Sequence, residues 1–338
     1  MLVTTAPDRE RVKLVRGILD LPENNFEPEP PTFSVADIKG KGLGLAASGS
    51  LRRGTALMSH TPVIMVHKRF VDEVDKEEQE RILEAAVKLL PAATREKFDK
   101  ERAIIGSGAS ARDIILSRPF LSDLGLGRNQ NKDEEEERHY LNFPEATTFS
   151  HDCRPNVAYH IDSFYHIFHA IVIRKAEPGE ELTISYVDPM LPRAQRQHRI
   201  RHWRKADCKC AKCTGNYSFK ELEDSDARLA EIQTLQAELG NHENLDVTTD
   251  MVDRLLELYK IERLESRIAA AYEIAALTYN NLGLSKKAQK FANRARLAWL
   301  IEMGPDSNEA IAMRIFAEDP EGHYSYKAKV KGKKTPST

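Results

Sequence analysis

Cysteine, tryptophan and long apolar runs are scarce in this chain of 338 residues, which has four cysteines and two tryptophans. No stretch approaches the roughly 18 uncharged apolar residues that a membrane-spanning helix needs, and the first residues lack the apolar core of a secretory signal. The formal net charge of -2 supplies no global attraction to nucleic acid or to an anionic membrane. We therefore expect an intracellular protein, cytoplasmic or nuclear, without membrane association.

The hydrophobic pattern changes several times along the chain, and these changes predict an α+β domain followed by an all-α domain. Residues 1–32 are polar and end in a proline-rich segment, which indicates a leader. Short apolar runs between glycines predict a strand-rich domain over 33–218, interrupted by a variable insert at 66–139. Helical spacing predicts an α-helical domain over 219–325, and the basic residues 326–338 predict a disordered tail.

Several elements inside these boundaries are predicted individually. Strands are expected around Ala56–Met58 and Val63–Val66, and helices over 70–105. Residues 106–139 are expected to be weakly structured, and their acidic run is typical of a solvated loop rather than of a binding site. Four helices of the C-terminal domain resemble stacked TPR-like hairpins, and they are predicted at 221–239, 250–260, 264–281 and 285–303.

The cysteines are Cys153 and, far downstream, the C-x-C-x-x-C cluster of Cys208, Cys210 and Cys213. Close sequence neighbours seldom reach disulfide geometry, and a reducing compartment favours metal binding over disulfides. Four thiolates complete the tetrahedral shell of a structural zinc ion. We therefore favour one zinc ion that joins residue 153 to the 208–213 loop; the alternative is four unrelated thiols.

Three motifs precede the cysteine cluster in a fixed order: Gly-Lys-Gly-Leu-Gly-Leu-Ala at 40–46, Thr-Phe-Ser-His-Asp-Cys-Arg-Pro-Asn at 148–156 and Gly-Glu-Glu-Leu-Thr-Ile-Ser-Tyr-Val-Asp at 179–188. Together they resemble the SET-domain lysine methyltransferases, and most closely fungal proteins related to the SMYD branch. No cysteine lies between 50 and 150, so the MYND zinc finger of that branch is expected to be absent. The resemblance implies a SET-domain β-sheet core with a helical insert and a post-SET zinc loop.

The resemblance also implies an S-adenosylmethionine-dependent N-methyltransferase acting on a lysine side chain or another amine, with Tyr186 as the catalytic residue. His151 is expected to contribute mainly through its backbone. Tyr140, Tyr159 and Tyr165 are candidate aromatics of the substrate channel. The cofactor-binding residues implied by the resemblance are Lys41, Gly42, Leu43, Gly44, Ser150, His151, Tyr186 and Trp203, and the metal ligands are Cys153, Cys208, Cys210 and Cys213.

Methyl transfer from a sulfonium is an in-line displacement, so its catalysis consists mainly of holding the reacting atoms in a line. A free lysine has a pKa near 10.4 and must lose a proton before it can attack. A narrow, dry channel disfavours the ammonium form. A tyrosine hydroxyl at the inner end of such a channel can orient the amine, which is the role expected of Tyr186.

The chain departs from the family pattern at the cofactor pocket. Ser150 stands where the family has asparagine, and Ala206 stands where an aromatic residue usually packs on the adenine. The segment Trp203-Arg204-Lys205 replaces a second channel tyrosine. These departures favour a second hypothesis, a SET fold with altered or lost methyltransferase activity that serves as an interaction protein or in small-molecule chemistry of fungal secondary metabolism.

A basic stretch runs from Arg193 to Lys212, with Asp207 as the acidic residue opposing it. It lacks the interleaved aromatics that stack on bases, so we prefer a solvated helix face and cations that offset zinc thiolates over a nucleic-acid site. The expected partners are a protein or small amine substrate. The C-terminal helical domain is a candidate surface for a partner protein.

Overall fold

The computed structural model describes residues 2–3, 28, 30–106, 108–117, 120–122, 138–162, 165–204, 206–215 and 217–332. Most of the expected leader, the acidic run at 133–137 and the last six residues lie outside the described residues. The chain divides into two compact units that alternate along the sequence. The first comprises residues 1–150 and 161–182, and the second comprises 151–160 and 183–338.

The strands of the described residues are short, as expected for small sheets. In chain order they are β1 (Leu2–Val3), β2 (Phe33–Ile38), β3 (Gly42–Ala47), β4 (Ala56–His60), β5 (Ile64–His67), β6 (Phe120–Ser122), β7 (His139–Asn142), β8 (Ser150–His151), β9 (Val157–Ile161), β10 (Phe168–Val172) and β11 (Glu181–Ile184).

The helices of the described residues fall into an early group and a late group. The early group is α1 (Lys68–Glu73), α2 (Lys76–Lys88), α3 (Ala92–Ile105) and α4 (Ala111–Ser117). The late group is α5 (Arg193–Arg204), α6 (Ala211–Thr214), α7 (Phe219–Gly240), α8 (Thr249–Ile261), α9 (Ile268–Asn281), α10 (Ser285–Glu302), α11 (Asn308–Glu318) and α12 (Ala328–Gly332). Across the part of the chain that the structure describes, no helix is both long and apolar enough to cross a membrane.

Strands β2 and β3 of the first unit form a β-hairpin. The two strands pair antiparallel from Phe33 opposite Ala47 to Ile38 opposite Gly42. The turn between them needs left-handed backbone, and Gly40 and Gly42 supply it with φ of 76° and 82°. Gly42 therefore both closes this turn and begins strand β3.

The second sheet of the first unit carries the helical insert. Strand β5 lies between β1, which is parallel to it, and β7, which is antiparallel and also pairs with β6. Buried residues of α2, α3 and α4, among them Leu83, Phe98 and Ile114, pack with Val66 of β5 and Tyr140 of β7. The expectation of weak structure over 106–139 is wrong for α4 and β6. The apolar residues of α4 are buried in this core, and Phe120 of β6 is buried against the rings of Phe143 and Phe168.

The helices α7 to α11 of the second unit pack around an alanine-rich core. Fully buried alanines, including Ala271, Ala275, Ala288 and Ala292, line the contact between α9 and α10 and let the two backbones approach closely. Helix α7 begins with a capping box, in which Ser218 and Glu221 satisfy each other's backbone N–H groups. The predicted helical C-terminal region is confirmed, and a true repeat remains a prediction.

The end of the described chain differs from the predicted disordered tail. Residues 328–332 form α12, and Lys329 is buried. Its ammonium group donates hydrogen bonds to the carbonyl oxygens of Asn241, at 2.8 Å, and of His242, at 2.6 Å. These two acceptors lie directly after helix α7. A lysine that the basic composition of the tail would place in solvent therefore has specific hydrogen-bond acceptors.

Candidate metal centre and its surroundings

The four cysteines converge in the second unit although 55 residues separate the first from the second. All four are buried, and their sulfur atoms lie within 4.8 Å of one another. The Sγ atom of Cys153 lies 4.0 Å from that of Cys208 and 3.6 Å from that of Cys213. A disulfide would need about 2.05 Å, so these thiols are unpaired neighbours.

The spacing of the sulfur atoms fits a zinc ion. A tetrahedron with Zn–S bonds of 2.3 Å has sulfur–sulfur edges of about 3.8 Å. The two separations at Cys153 lie on either side of that value. Four cysteine sulfurs also complete the coordination shell, which is typical of a structural rather than a catalytic zinc site. Geometry and donor chemistry therefore both suit one structural zinc ion.

Local backbone geometry explains how the C-x-C-x-x-C segment presents three sulfurs to one point. Cys210 precedes the single turn of α6, and its carbonyl oxygen accepts a hydrogen bond from Cys213 N at 2.9 Å. The side chain of Gln197, on α5, accepts a hydrogen bond from Cys208 N at 2.9 Å. The short turn and the glutamine together fix the loop from both sides, before any metal contributes.

Cations from the basic stretch lie beside the sulfurs. Arg196 is buried, and burial alone would lower its pKa, but interaction with Cys153 and Cys213 raises it. The thiols also shift one another's pKa values. Hydrogen bonding, first to Cys153, lowers the pKa of Cys210 to about 6, whereas hydrogen bonding to Cys153 raises the pKa of Cys208. A cation that accepts four thiolates would remove this competition, and Arg196 would offset the negative charge that remains.

The segment that follows β8 holds the end of strand β11 through a series of hydrogen bonds. Asn156 Oδ1 accepts from Thr183 N at 2.8 Å, and Asp152 N donates to Ile184 O at 3.0 Å. His151 Nδ1 accepts from Tyr186 N at 3.0 Å. The motif that contains a metal-ligand candidate, Cys153, therefore also positions the backbone of the residue expected to be catalytic.

The side chain of His151 does more than the sequence suggested. A backbone N–H can only donate, so the bond from Tyr186 N requires an unprotonated Nδ1. A neutral imidazole then carries its proton on Nε2, which lies 3.3 Å from Cys153 Sγ. The His151 and Tyr186 rings are also neighbours, with centroids 5.2 Å apart, and Tyr186 packs against the cysteine cluster.

A buried carboxylate joins the metal centre to the C-terminal helices. Glu262 follows α8 and accepts hydrogen bonds from Arg154 at 2.9 Å and from Arg228 at 2.8 Å, while Lys212 Nζ lies at 2.9 Å. Ser225 donates at 2.9 Å as well. Burial alone would raise the pKa of Glu262, but hydrogen bonds, first from Lys212 and then from Arg154, lower it to about 2.

This network could not be predicted from the sequence, because Glu262 lies 108 residues from Arg154 and is one of many glutamates on helical segments. The local feature that distinguishes Glu262 is its position at the C-terminal end of a helix. Arg263, the next residue, has φ of 51°, a left-handed conformation that usually favours glycine. Helix α8 ends at Ile261, Glu262 is its C-cap residue, and the left-handed Arg263 follows directly.

The first unit contains the other expected cofactor residues. A Cβ atom on Gly44 would lie 2.6 Å from Ile38 Cγ1 and 3.3 Å from Ser150 Oγ, so a side chain there would collide. Gly44 and Ser150 are therefore close together. The Lys41 ammonium group pairs with Glu181 at 2.6 Å, and the Leu43 side chain is exposed.

The remaining candidate residues have different surroundings. Trp203 lies on α5, and its side chain falls outside the described part of the structure. Ala206 is exposed in the loop before the cysteines. Tyr140 packs into the insert core. Burial raises the pKa of Tyr159, and electrostatic interaction with Tyr186 raises it further.

Residues 42–187 match the family described as SET domain. This chain contains a SET domain. A SET domain-containing protein of Acanthamoeba polyphaga mimivirus is 38% identical over 68 residues, which are 20% of this chain and 26% of the relative. The N-lysine methyltransferase SMYD2 of Homo sapiens is 24% identical over 200 residues, which are 58% of this chain and 42% of the relative.

A solved structure of the Neurospora SET domain protein DIM-5, a histone lysine methyltransferase, is 16% identical and covers 46% of this chain and 52% of its own, with a TM-score of 0.26. A TM-score this low does not support a shared fold by itself, and the SET-domain assignment rests on the match over 42–187. The matches span from about a quarter to under a half of the two curated relatives' length. The predicted SET-domain fold and its kinship with lysine methyltransferases are confirmed.

Proposed function

We propose that this protein is an S-adenosylmethionine-dependent N-methyltransferase that acts on a lysine side chain or another amine. The observation that carries the proposal is the arrangement around Tyr186. The motif of Cys153 holds the backbone of Tyr186 through His151, and Tyr186 packs against a cysteine cluster suited to zinc. The kinship with lysine methyltransferases supports the same reaction class.

S-adenosylmethionine, when bound, would supply a methyl group on a sulfonium, which an unprotonated amine accepts. The contribution of the chain is then positional. The Tyr186 hydroxyl orients the amine, and its backbone is fixed by His151 at 3.0 Å. Lys41, Gly42, Leu43, Gly44, Ser150, His151, Tyr186 and Trp203 remain our proposed cofactor-binding residues.

Zinc, when bound to Cys153, Cys208, Cys210 and Cys213, would join two distant segments of the second unit. Its role is structural, because four thiolates leave no open coordination position for substrate. The neighbouring Arg196 offsets the charge of the thiolates, and Gln197 fixes the loop that carries three of them. No step of methyl transfer needs the metal itself.

A second candidate function is a SET fold whose methyltransferase activity is altered or lost. The departures at Ser150 and Ala206 favour it, and Ala206 is exposed, so this position offers no aromatic surface to an adenine ring. Such a protein would serve as an interaction partner or act in small-molecule chemistry. A fungal origin and the absence of a MYND finger, both implied by the family resemblance, also remain proposals.

Cofactor binding distinguishes the two functions. We expect isothermal titration of S-adenosylmethionine into the purified, zinc-loaded protein to show one site per chain. A matched variant, Gly44→Val, should lose that heat, because a side chain there meets Ile38 and Ser150. The absence of binding to the wild-type protein at millimolar cofactor would contradict the methyltransferase proposal and leave the second candidate.

The surroundings of the reaction are also proposed. The substrate is a protein or a small amine, and the C-terminal helical domain at 219–325 offers a surface for a partner protein. The domain boundaries, with the SET region over 33–218 and its insert at 66–139, remain proposals. So does a cytoplasmic or nuclear location.

A further inference from the structure

We infer that the His151 side chain is a positioning residue that couples the metal centre to Tyr186. The inference rests on the proposed function only in giving Tyr186 a catalytic role. Its structural part concerns one imidazole ring held between Cys153 Sγ, at 3.3 Å, and Tyr186 N, at 3.0 Å. The ring thereby connects a metal ligand to the backbone of the expected catalytic residue in two hydrogen bonds.

The direction of each hydrogen bond follows from elementary chemistry. The Tyr186 N–H has no acceptor capacity, so Nδ1 must carry the lone pair and Nε2 the proton. The Nε2–H group therefore points its hydrogen at the sulfur of Cys153. A metal-bound thiolate accepts such a bond readily because it keeps lone pairs after coordination. Loading the centre with metal thus favours this single tautomer and orientation of the ring.

Tyr186 needs such support because it lies beyond the regular strand. Strand β11 ends at Ile184, and residues 186–187 form a bend just beyond it. Asn156 holds the backbone at Thr183, three residues before Tyr186, and Asp152 holds it at Ile184, two residues before Tyr186. The His151 bond extends that series by two residues, to Tyr186 itself.

His151 acts on the sulfur rather than on the metal. The four sulfurs lie within 4.8 Å of one another, and four thiolates suffice for the coordination shell of a structural zinc ion. The ring also lies close to that of Tyr186, with centroids 5.2 Å apart and planes inclined by 33°. A shift of the cluster would therefore move the ring, and the ring would move both the backbone and the phenol of Tyr186.

Two substitutions separate the two ends of the bridge. In His151→Asn, the amide oxygen replaces the Nδ1 acceptor for Tyr186 N, but the side chain is too short to reach Cys153. In His151→Gln, the amide nitrogen replaces the Nε2 donor for Cys153, but the acceptor near Tyr186 is lost. His242→Asn is the control, because that exposed histidine lies outside every proposed site.

The first experiment measures the bridge without any activity. The protein is labelled with fluorotyrosine, the Tyr186 signal is assigned with Tyr186→Phe, and zinc is exchanged for cadmium-113. We expect the Tyr186 fluorine signal to shift on metal exchange in the wild-type and His242→Asn proteins, and to shift markedly less in both His151 variants, where only the direct packing of Tyr186 on the cysteines remains. The other tyrosine signals report that the variants are folded. Equal shifts with and without His151 would overturn the inference.

A second spectrum tests the hydrogen bond itself. With nitrogen-15-labelled histidine, the cadmium-loaded protein should show a protonated Nε2 on His151 and a scalar coupling from cadmium to that proton. His151→Gln should place a coupled amide proton at the same sulfur. A proton found on Nδ1, or a folded protein with no coupling, would contradict the proposed bridge.

Kinetics then connect the bridge to the reaction. We expect both His151 variants to lower turnover by about 10-fold to 100-fold. The dissociation constant of S-adenosylmethionine should change by less than about threefold, because His151 is proposed to contact the cofactor through its backbone, which both variants keep. Unchanged turnover in both variants would remove the positioning role. If the wild-type protein transfers no methyl group, the proposed function fails, and the two spectra still decide whether His151 couples the metal to Tyr186.

Discussion

Tyr186 combines a fixed backbone with a phenol ring that packs against the cysteine cluster. Because we propose that its hydroxyl orients the amine, Tyr186→Phe should remove that contact and keep the packing. We expect turnover to fall by about 100-fold or more, with the affinity for S-adenosylmethionine nearly unchanged. Methyl transfer to a substrate mixture and cofactor titration measure the two quantities.

Tyr324→Phe is a matched control for Tyr186→Phe, since Tyr324 is an exposed tyrosine near the end of the described chain. It should leave both turnover and cofactor affinity as in the wild type. Wild-type turnover in Tyr186→Phe would exclude the hydroxyl from the reaction.

Single residues were predictable where chemistry restricts the choice. Only cysteine offers four thiolates, and the C-x-C-x-x-C spacing suits one metal, so the sulfur cluster could be predicted from the sequence. The role of the His151 side chain could not be predicted, because it depends on which neighbours its two ring nitrogens reach. The sequence indicated a contribution through the backbone, whereas the ring contacts both Cys153 and Tyr186.

At the scale of elements, Glu262 joins the end of α8 to α7 and to the segments around the metal centre. It contacts Arg154, Lys212, Arg228 and Ser225. Glu262→Gln removes the charge and leaves three cations around a neutral amide. We expect a loss of about 3–5 kcal/mol in the free energy of unfolding, which denaturant titration measures.

The control for Glu262→Gln is Glu231→Gln. Glu231 is half-exposed and pairs with Arg254 at 2.7 Å on the surface. It should cost no more than about 1 kcal/mol, because exposed ion pairs are screened by solvent. Equal small effects of the two substitutions would show that the Glu262 network contributes nothing special.

The same carboxylate predicts how stability depends on pH. The pKa of Glu262 in the folded protein is lowered to about 2, whereas the unfolded carboxyl has its ordinary value of 4.5. Its contribution is therefore complete above pH 4.5 and is lost as the pH falls from 4.5 toward 2, by at most about 3 kcal/mol. Denaturant titration of the wild type at several pH values should show this decline.

Glu262→Gln should flatten the acid decline, because an amide does not titrate in this range. An unchanged decline in the folded variant would assign the acid sensitivity to other carboxyl groups.

Elements were predictable where a periodic pattern is long. The late helices α7 to α10 lie close to their predicted positions, since each repeats its apolar residues with a clear period. Strands β4 and β5 also lie close to theirs, because their short apolar runs stand out between polar segments. Short elements were missed. Helix α4 has seven residues and α12 has five, too few for a pattern, and both depend on distant partners such as the insert core and the carbonyls that receive Lys329.

At the scale of the whole molecule, metal is expected to stabilise the protein because it joins segments that are far apart in the sequence. Cys153 and Cys208 are separated by 55 residues. Removing the metal with a chelator should lower the midpoint of thermal unfolding by about 10 °C or more, and added zinc should restore it. Calorimetry measures the midpoint, with added magnesium as the control that should restore nothing.

An unchanged unfolding midpoint after complete metal removal would show that the thiols and Arg196 stabilise the cluster by themselves. That result would remove the structural role of zinc while leaving the SET fold in place.

The fold of the SET region was predictable because its motifs occur in a fixed order, and the match over 42–187 confirms it. The activity is less determined by the sequence, since it depends on how the chain accommodates Ser150 and Ala206. An aromatic residue two positions before the first clustered cysteine would have decided the adenine contact, and here that position is an exposed alanine.

The metal content of the purified protein tests the central claim most directly. Protein prepared without chelator should contain one zinc ion per chain by native mass spectrometry and elemental analysis, and Cys210→Ser should lose it. Lys209→Ser, which changes the neighbouring exposed residue, should keep it. A folded wild-type protein with no bound metal, or with its cysteines joined as disulfides, would contradict the account.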